Sequence, residues 1–224
     1  MDASSMGEPP SDTLALHEYH LQLGGRTWTV RHTGAILSYD DEQRFLGIAT
    51  GRPPYGVALW PAAIALAHDL AARADSLRGL RVLELGAGTG LPGIVAASFG
   101  AHVVQTDRQE RALEQCRLNG AANHLDTIEY RLADWTRWSD ESHYDLILGA
   151  DILYAERLHP SVRGIFESNL ALNGRVLLAD PFRSPSVSFL ETLDPFGWSI
   201  ALSKWSVGED VAPRPIGVFE LTRP

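Results

Sequence analysis

The 224-residue chain contains one cysteine, Cys116, and one lysine, Lys204, and both scarcities narrow its chemistry. A lone thiol makes neither an internal disulfide nor a cysteine-rich zinc site, so a reducing compartment, the cytoplasm, is expected. Basic residues number 19 against 28 acidic ones, a net charge of −9. That balance lacks the positive field needed to neutralise several phosphates, which argues against general nucleic-acid binding. Long apolar runs are missing too. The longest, residues 57–67, includes Pro61 and falls well short of the roughly 20 residues of a bilayer span. Residues 1–13 have no basic start and no apolar stretch, and read as a solvated tail rather than a targeting signal. The histidines are scattered without ligand spacing, so no metal site is expected. No Gly-x-Ser-x-Gly elbow occurs, and Cys116 falls mid-helix, which leaves serine or cysteine hydrolysis without its residues. What remains is 45% hydrophobic and 21% charged, the balance of an ordinary folded chain of single-domain size.

Hydrophobic patterning supplies the architecture. Residues 18–23 and 26–32 alternate around Gly24-Gly25, which predicts a hairpin with a primed turn. Residues 40–56 are irregular, and residues 57–74 read as an alanine-rich helix. Beyond Leu80, short apolar runs alternate with segments of helical period. Strands are expected at 81–85, 101–106, 127–131, 144–149 and 175–179, with helices at 92–99, 110–123 and 155–170 and a turn at Asn173-Gly174. A helix to about residue 193 and strands near 198–205 and 216–221 complete the chain. No long helix separates the last two strands, so they should be antiparallel. The expected fold is α/β: a doubly wound seven-stranded sheet with an antiparallel C-terminal pair and an N-terminal hairpin appendage. A tail at 1–13, the hairpin and extension at 14–56 and one domain at 57–224 are the expected divisions.

The sharpest local signal is Glu84-Leu85-Gly86-Ala87-Gly88-Thr89-Gly90, between a strand and a helix. Glycines there let backbone N–H groups close on a ligand at the switch point of such a sheet. Asp107 ends the next strand, where a carboxylate can accept hydrogen bonds from two ribose hydroxyls. A dinucleotide fingerprint can be threaded through Gly88, Gly90 and Gly93, with Asp107 downstream, but it begins two residues after an equally good glycine. The pattern Glu84-x-Gly86-x-Gly88-x-Gly90 needs no such offset. Further on, strand four runs into Gly149-Ala150-Asp151-Ile152-Leu153-Tyr154, at the sheet edge where this fold places chemistry.

Glu84 with its three alternating glycines resembles motif I of the seven-strand S-adenosylmethionine-dependent methyltransferases. Asp151-x-x-Tyr154 is similar to the signature of the protein-lysine methyltransferases within that group, whose members act on chaperones, ATPases and the electron-transfer flavoprotein. Gly56-Val57-Ala58-Leu59-Trp60-Pro61-Ala62 and Thr106-Asp107 fit the same family, and the likeness covers about residues 56–180. Asp180-Pro181-Phe182-Arg183 is similar to a stretch of its flavoprotein-type relatives. The resemblance implies S-adenosylmethionine as cofactor, held by Trp60, Glu84, Gly86, Gly88, Gly90, Asp107, Asp134, Trp135 and Ala150. Adenine would fall at Ala133-Asp134-Trp135, where Asp134 can accept from the exocyclic amine and Trp135, with Trp138 as competitor, can pack on the ring. The plainer alternative is a helix cap and a core tryptophan.

The resemblance also implies methyl transfer to an amine, with Asp151 and Tyr154 as catalytic residues. Asp151 would orient the amine and favour the developing ammonium, and Tyr154 would wall the lysine channel. The plainer roles are an N-cap for Asp151 and packing for Tyr154. The implied partner is a protein presenting lysine, or a small-molecule amine; oligomeric state is not encoded. Arg52-Pro53-Pro54-Tyr55 imitates the Asn/Asp-Pro-Pro-Tyr motif of nucleic-acid amino-methyltransferases, but arginine has no acceptor to orient an amine. A rigid turn is expected instead. The competing functions are an NAD(P)-dependent oxidoreductase using the shifted fingerprint and a cofactor-binding module without catalysis.

Overall fold

The computed structural model describes residues 16–36, 55–207 and 214–223. The expected tail, the irregular stretch before residue 55 and the Arg52-Pro53-Pro54 turn therefore lie outside the described residues.

The hairpin forms as expected. β1 (His17–Leu23) pairs antiparallel with β2 (Arg26–His32) through a two-glycine turn at Gly24 and Gly25. Their φ angles of 56° and 76° give the primed turn that follows the strands' own twist. After α1 (Pro61–Ala72) come β3 (Arg81–Leu85), α2 (Leu91–Ser98), β4 (His102–Asp107), α3 (Glu110–Ala122), β5 (Glu129–Leu132), β6 (Tyr144–Ala150), α4 (His159–Asn169), β7 (Leu170–Asp180), α5 (Ser184–Glu191), β8 (Ser199–Val207) and β9 (Arg214–Thr222). The main sheet has seven strands in the order β5-β4-β3-β6-β7-β9-β8. Strands β3 to β7 run parallel to one another, and β9 is antiparallel to both β7 and β8. The chain reverses its direction of travel across the sheet between β3 and β6, and so opens a crevice at their carboxyl ends.

Both faces of the sheet are covered, and the period of two along each strand decides which residue faces which layer. Val82, Leu146, Leu148, Leu177 and Val218 pack with α1 and α2 on one face. Their neighbours Leu83, Ile147, Val176, Leu178 and Phe219 pack with Phe166 of α4 and Phe189 of α5 on the other. Among the described residues no helix is long and apolar enough to cross a membrane.

Three elements differ from the sequence expectation. The helix expected from residue 57 begins at Pro61, because a residue before proline is pushed out of the helical region. Trp60 is accordingly extended, at φ −93° and ψ 143°, and Leu59 instead bridges Ala35 in parallel. The helix expected from residue 155 opens with a 3-10 turn, Glu156–Leu158, before α4. Asn173-Gly174 does not end a strand: Asn173 sits at φ 63° within β7, where the pairing with β6 slips from Tyr144↔Leu170 to Leu146↔Arg175. The expected turn is thus absent, and the left-handed residue makes an irregularity inside the strand instead.

The hairpin is bound to the body by more than apolar contact. Leu21, Trp28 and Val30 are buried in the same core as α1 and α2. Asparagine side chains of α3 and its end then stand in for a neighbouring strand. Asn119 Oδ1 accepts from Arg31 N–H at 2.8 Å, and its Nδ2 donates to Arg31 O at 3.1 Å and to Thr89 O at 2.8 Å. Asn123 does the same for Thr29, accepting at 2.9 Å and donating at 2.7 Å. Asn119 is fully buried, so Asn119→Leu strands several backbone groups without partners. The expected cost is about 3 kcal/mol of unfolding free energy, read as a lowered urea midpoint.

Candidate active site

The glycine loop leaves β3 with Gly86, Gly88 and Gly90 at φ 64°, 57° and 81°. Gly86 is the tightest case on the cleft side: a Cβ there would meet Ile152 Cγ2 at 3.1 Å and Trp135 Cζ2 at 3.3 Å, besides straining the backbone.

Buried side chains hold this loop from behind. Glu84 is 2% exposed and accepts from Gly93 N–H at 3.1 Å and Gln105 Nε2 at 2.7 Å. Gln105 also donates to Gly90 O at 2.8 Å. Cys116 Sγ donates to Gly88 O at 3.2 Å, and burial pushes its thiol up in pKa. Asp107 accepts from Gly88 N–H at 3.2 Å with one oxygen and from Gln109 N–H at 2.9 Å with the other. Burial raises the Asp107 carboxyl, while these amide bonds pull it back. Glu84 is pushed up to about 8, chiefly by burial, against the opposing bonds from Gln105 and Gly93.

A cleft of about 470 Å³ opens in front of the loop. Gly86, Gly88 and Asp107 form its floor, and Trp60, at the entrance to α1, borders it. Ala133, Asp134 and Trp135 supply one wall, and Ala150, Asp151 and Tyr154 another. Glu84 and Gly90 do not line the cleft; Glu84 lies within β3 behind the loop, and Gly90 caps the start of α2. Asp134 does cap the 3-10 turn Trp135–Arg137, accepting from Thr136 N–H at 2.9 Å and Thr136 Oγ1 at 2.8 Å. These bonds lower its pKa. The capping role and the place in the cleft thus coincide. Trp138 is the alternative that fails, since its indole donates to Asn169 at 2.8 Å and it does not line the cleft.

The far end of the cleft departs further from the sequence reading. Asp151 is not an N-cap, because the next helical turn starts only at Glu156. It is a left-handed residue at φ 59°, fixed by its own N–H to Ala179 O at 2.9 Å. Its carboxylate forms an ion pair with Arg183, a cleft residue that the motif reading did not select. Gly56, Arg108, Gln109 and Ile152 also line the cleft and were likewise not selected. Tyr154 is 58% exposed at the mouth, which does not suit a plain packing role.

A family model described as lysine methyltransferase matches residues 47–194. The chain belongs to the lysine methyltransferase family. Within that family it is 40% identical over 135 residues to the protein N-lysine methyltransferase METTL21A of Xenopus tropicalis, a match covering 57% of this chain and 62% of that protein. It is also 34% identical over 163 residues to the histone-arginine methyltransferase METTL23 of Xenopus laevis, covering 68% and 65%. Its matches span between about half and two thirds of the METTL21A proteins' own length. Among solved structures, the fold matches a Thermus thermophilus 16S rRNA methyltransferase in complex with AdoMet and guanosine. That match has a TM-score of 0.64 at 19% identity, over 96% of this chain and 52% of the other. A magnesium protoporphyrin IX methyltransferase from Synechocystis with bound SAM gives 0.57 at 17%, over 71% and 79%. The family assignment favours the unshifted glycine pattern over the dinucleotide reading.

Glu84 carries a pH signature. In the fold it keeps its proton until about pH 8, whereas the unfolded group ionises near 4.5. The folded state therefore holds an extra proton between those values, and the associated stability is full below 4.5 and lost as pH rises through 8. Glu84→Gln removes this dependence. Relative to the parent, the variant should gain a few kcal/mol between pH 5 and pH 8, measured by urea denaturation at both.

Proposed function

We propose that this chain is an S-adenosylmethionine-dependent methyltransferase that transfers a methyl group to an amine, a lysine side chain of a protein. The observation that carries the reading is one cleft lined both by the glycine loop and Asp107, at the ends of β3 and β4, and by Asp151 and Tyr154, after β6 on the other side of β3. The residues fit the cofactor. The loop presents backbone where a Cβ on Gly86 would collide, Asp107 offers carboxylate oxygens at the end of β4, and Trp135 flanks the loop. When bound, S-adenosylmethionine supplies an electrophilic methyl group on a sulfonium.

The remaining work falls to the chain's own residues. Asp107 would accept from the ribose hydroxyls, with its bonds from Gly88 and Gln109 keeping it oriented. Asp134 has one oxygen committed to Thr136, and its other would be the acceptor for the adenine amine. Asp151 aligns the acceptor nitrogen, and positioning of this kind carries much of the rate in an in-line displacement. Tyr154 stands at the mouth, where an extended side chain enters. The acceptor must arrive neutral although lysine ionises near 10.4, so shielding from water and proton loss are both required. The buried thiol of Cys116 and the acidic net charge support a cytoplasmic protein that meets proteins rather than nucleic acids.

Radiolabelled methyl transfer into proteins from cells lacking this chain, followed by mapping of the labelled residue, tests the activity and the choice of lysine. Binding of cofactor without transfer to any acceptor would favour the non-catalytic module. Asp107→Ala should weaken S-adenosylhomocysteine binding by roughly tenfold to a hundredfold in calorimetry, the worth of bonds to a charged acceptor. Asp151→Asn should leave that affinity within about twofold and lower turnover by about a hundredfold.

A further inference from the structure

Arg183 is aimed into the cleft by local structure. Its N–H donates to Asp180 Oδ1 at 2.7 Å, and the preceding Phe182 takes φ 61° with its ring against Phe219, centroids 5.8 Å apart. The guanidinium then reaches across from the end of β7 to Asp151 at the end of β6, and its Nη1 lies 3.5 Å from Asp180 Oδ2. Asp180 is 2% exposed and also accepts from Ser186 Oγ at 2.7 Å, so it backs the arginine without facing the cleft. The side chains of Arg183 and Asp151 are 23% and 6% exposed. This is no solvated surface pair of small consequence.

The charges of the cleft can be placed by its two ends. Asp107, Asp134 and Arg108 stand at the nucleoside end; Asp151 and Arg183 stand at the acceptor end, with Tyr154 at the mouth and Asp180 behind. An unpaired carboxylate at the acceptor end would bind an ammonium and raise its pKa by about 1–3 units. Roughly one lysine in a few thousand is neutral at pH 7, so that shift would deepen the shortage of reactive amine.

We propose that Arg183 is a positioning residue that fixes Asp151 and offsets its charge, so that the acceptor end admits a neutral amine in preference to an ammonium. The catalytic consequence rests on the methyltransferase reading above, whereas the charge balance is a property of the chain alone. Asp151 keeps lone pairs to accept an amine N–H, while the guanidinium, which it shares with Asp180, offsets part of its negative charge. The amine lone pair then forms the N–C bond as the C–S bond breaks, the sulfur leaves uncharged, and the methylated ammonium passes its proton to water.

Two measurements on the full chain test this. In calorimetry with n-butylammonium and no cofactor, Arg183→Gln and Arg183→Met should each bind about tenfold more tightly than the parent. Adding Asp151→Asn should abolish the gain, and Arg183→Lys should behave like the parent. In methyl-transfer assays at saturating acceptor, the rising limb of kcat against pH, which reports the bound amine, should move up by about one unit in Arg183→Gln and stay near its parental position in Arg183→Lys. Unchanged n-butylammonium affinity in both neutral variants overturns the proposal. So does higher activity of Arg183→Gln at neutral pH, which would make the arginine a blocking group. A parent that transfers no methyl group defeats the underlying reading, while the n-butylammonium contrast still decides the charge balance.

Discussion

The glycine loop owes its shape to side chains of β4 and α3, of which only Asp107 also lines the cleft. Gly88 is held on both its polar groups, its N–H by Asp107 and its carbonyl by Cys116. Thr89 O is taken by Asn119 and Gly90 O by Gln105. A loop of small residues has many conformations open to it, and freezing one costs entropy that these bonds must offset. Gln105 in turn is joined to Glu84, which receives the first turn of α2 through Gly93. A Cβ on Gly93 would collide with Glu84 and Gln105, so the helix approaches the sheet closely only because that position is bare. Loop, helix and two strands therefore form one packed unit.

Asn119 extends that unit to the hairpin. The same amide that holds Thr89 O donates to Arg31 O and accepts from Arg31 N–H, so β2 and the glycine loop share a buried partner. What the alternating pattern of residues 18–32 marks as an appendage is tied to the binding loop through one side chain. Trp28 adds a second tie, its indole donating to Ser98 Oγ at 2.9 Å at the end of α2. Motion of the hairpin would be felt at Thr89.

The parts legible in the sequence are those whose partners lie close along the chain or follow from period. The alternating strands, the two-glycine turn, the loop and Asp107 all declare themselves within short windows, and the antiparallel final pair follows from the missing helix. Gln105 and Arg183 do not, because their partners are remote: Glu84 is 21 residues away and Asp151 is 32. Gln105 carries only a faint signal, a polar amide directly after Val103-Val104 in β4. Arg183 left a weaker one in the stretch Asp180-Pro181-Phe182-Arg183. The position of Glu84 before the glycines points to the ligand, whereas its burial and its bonds to Gly93 and Gln105 make it a support for the loop. The start of α1 was misplaced because the apolar run continues smoothly through Trp60 while the constraint from Pro61 acts backwards on it.

The two ends of the cleft are built on different principles. The glycine-loop end is shaped by backbone and by the side chains that brace it, none of which belongs to the segments at the other end. At the acceptor end the geometry comes from side chains at two strand ends, Asp151 at φ 59° after β6 and the Phe182-Arg183 turn after β7. Strained, side-chain-based geometry of this kind is sensitive to single substitutions in a way that the glycine loop's backbone is not. The Arg183–Asp151 pair belongs to segments outside the loop's packed unit, so substitutions there can alter that end of the cleft while leaving the loop's bracing bonds in place.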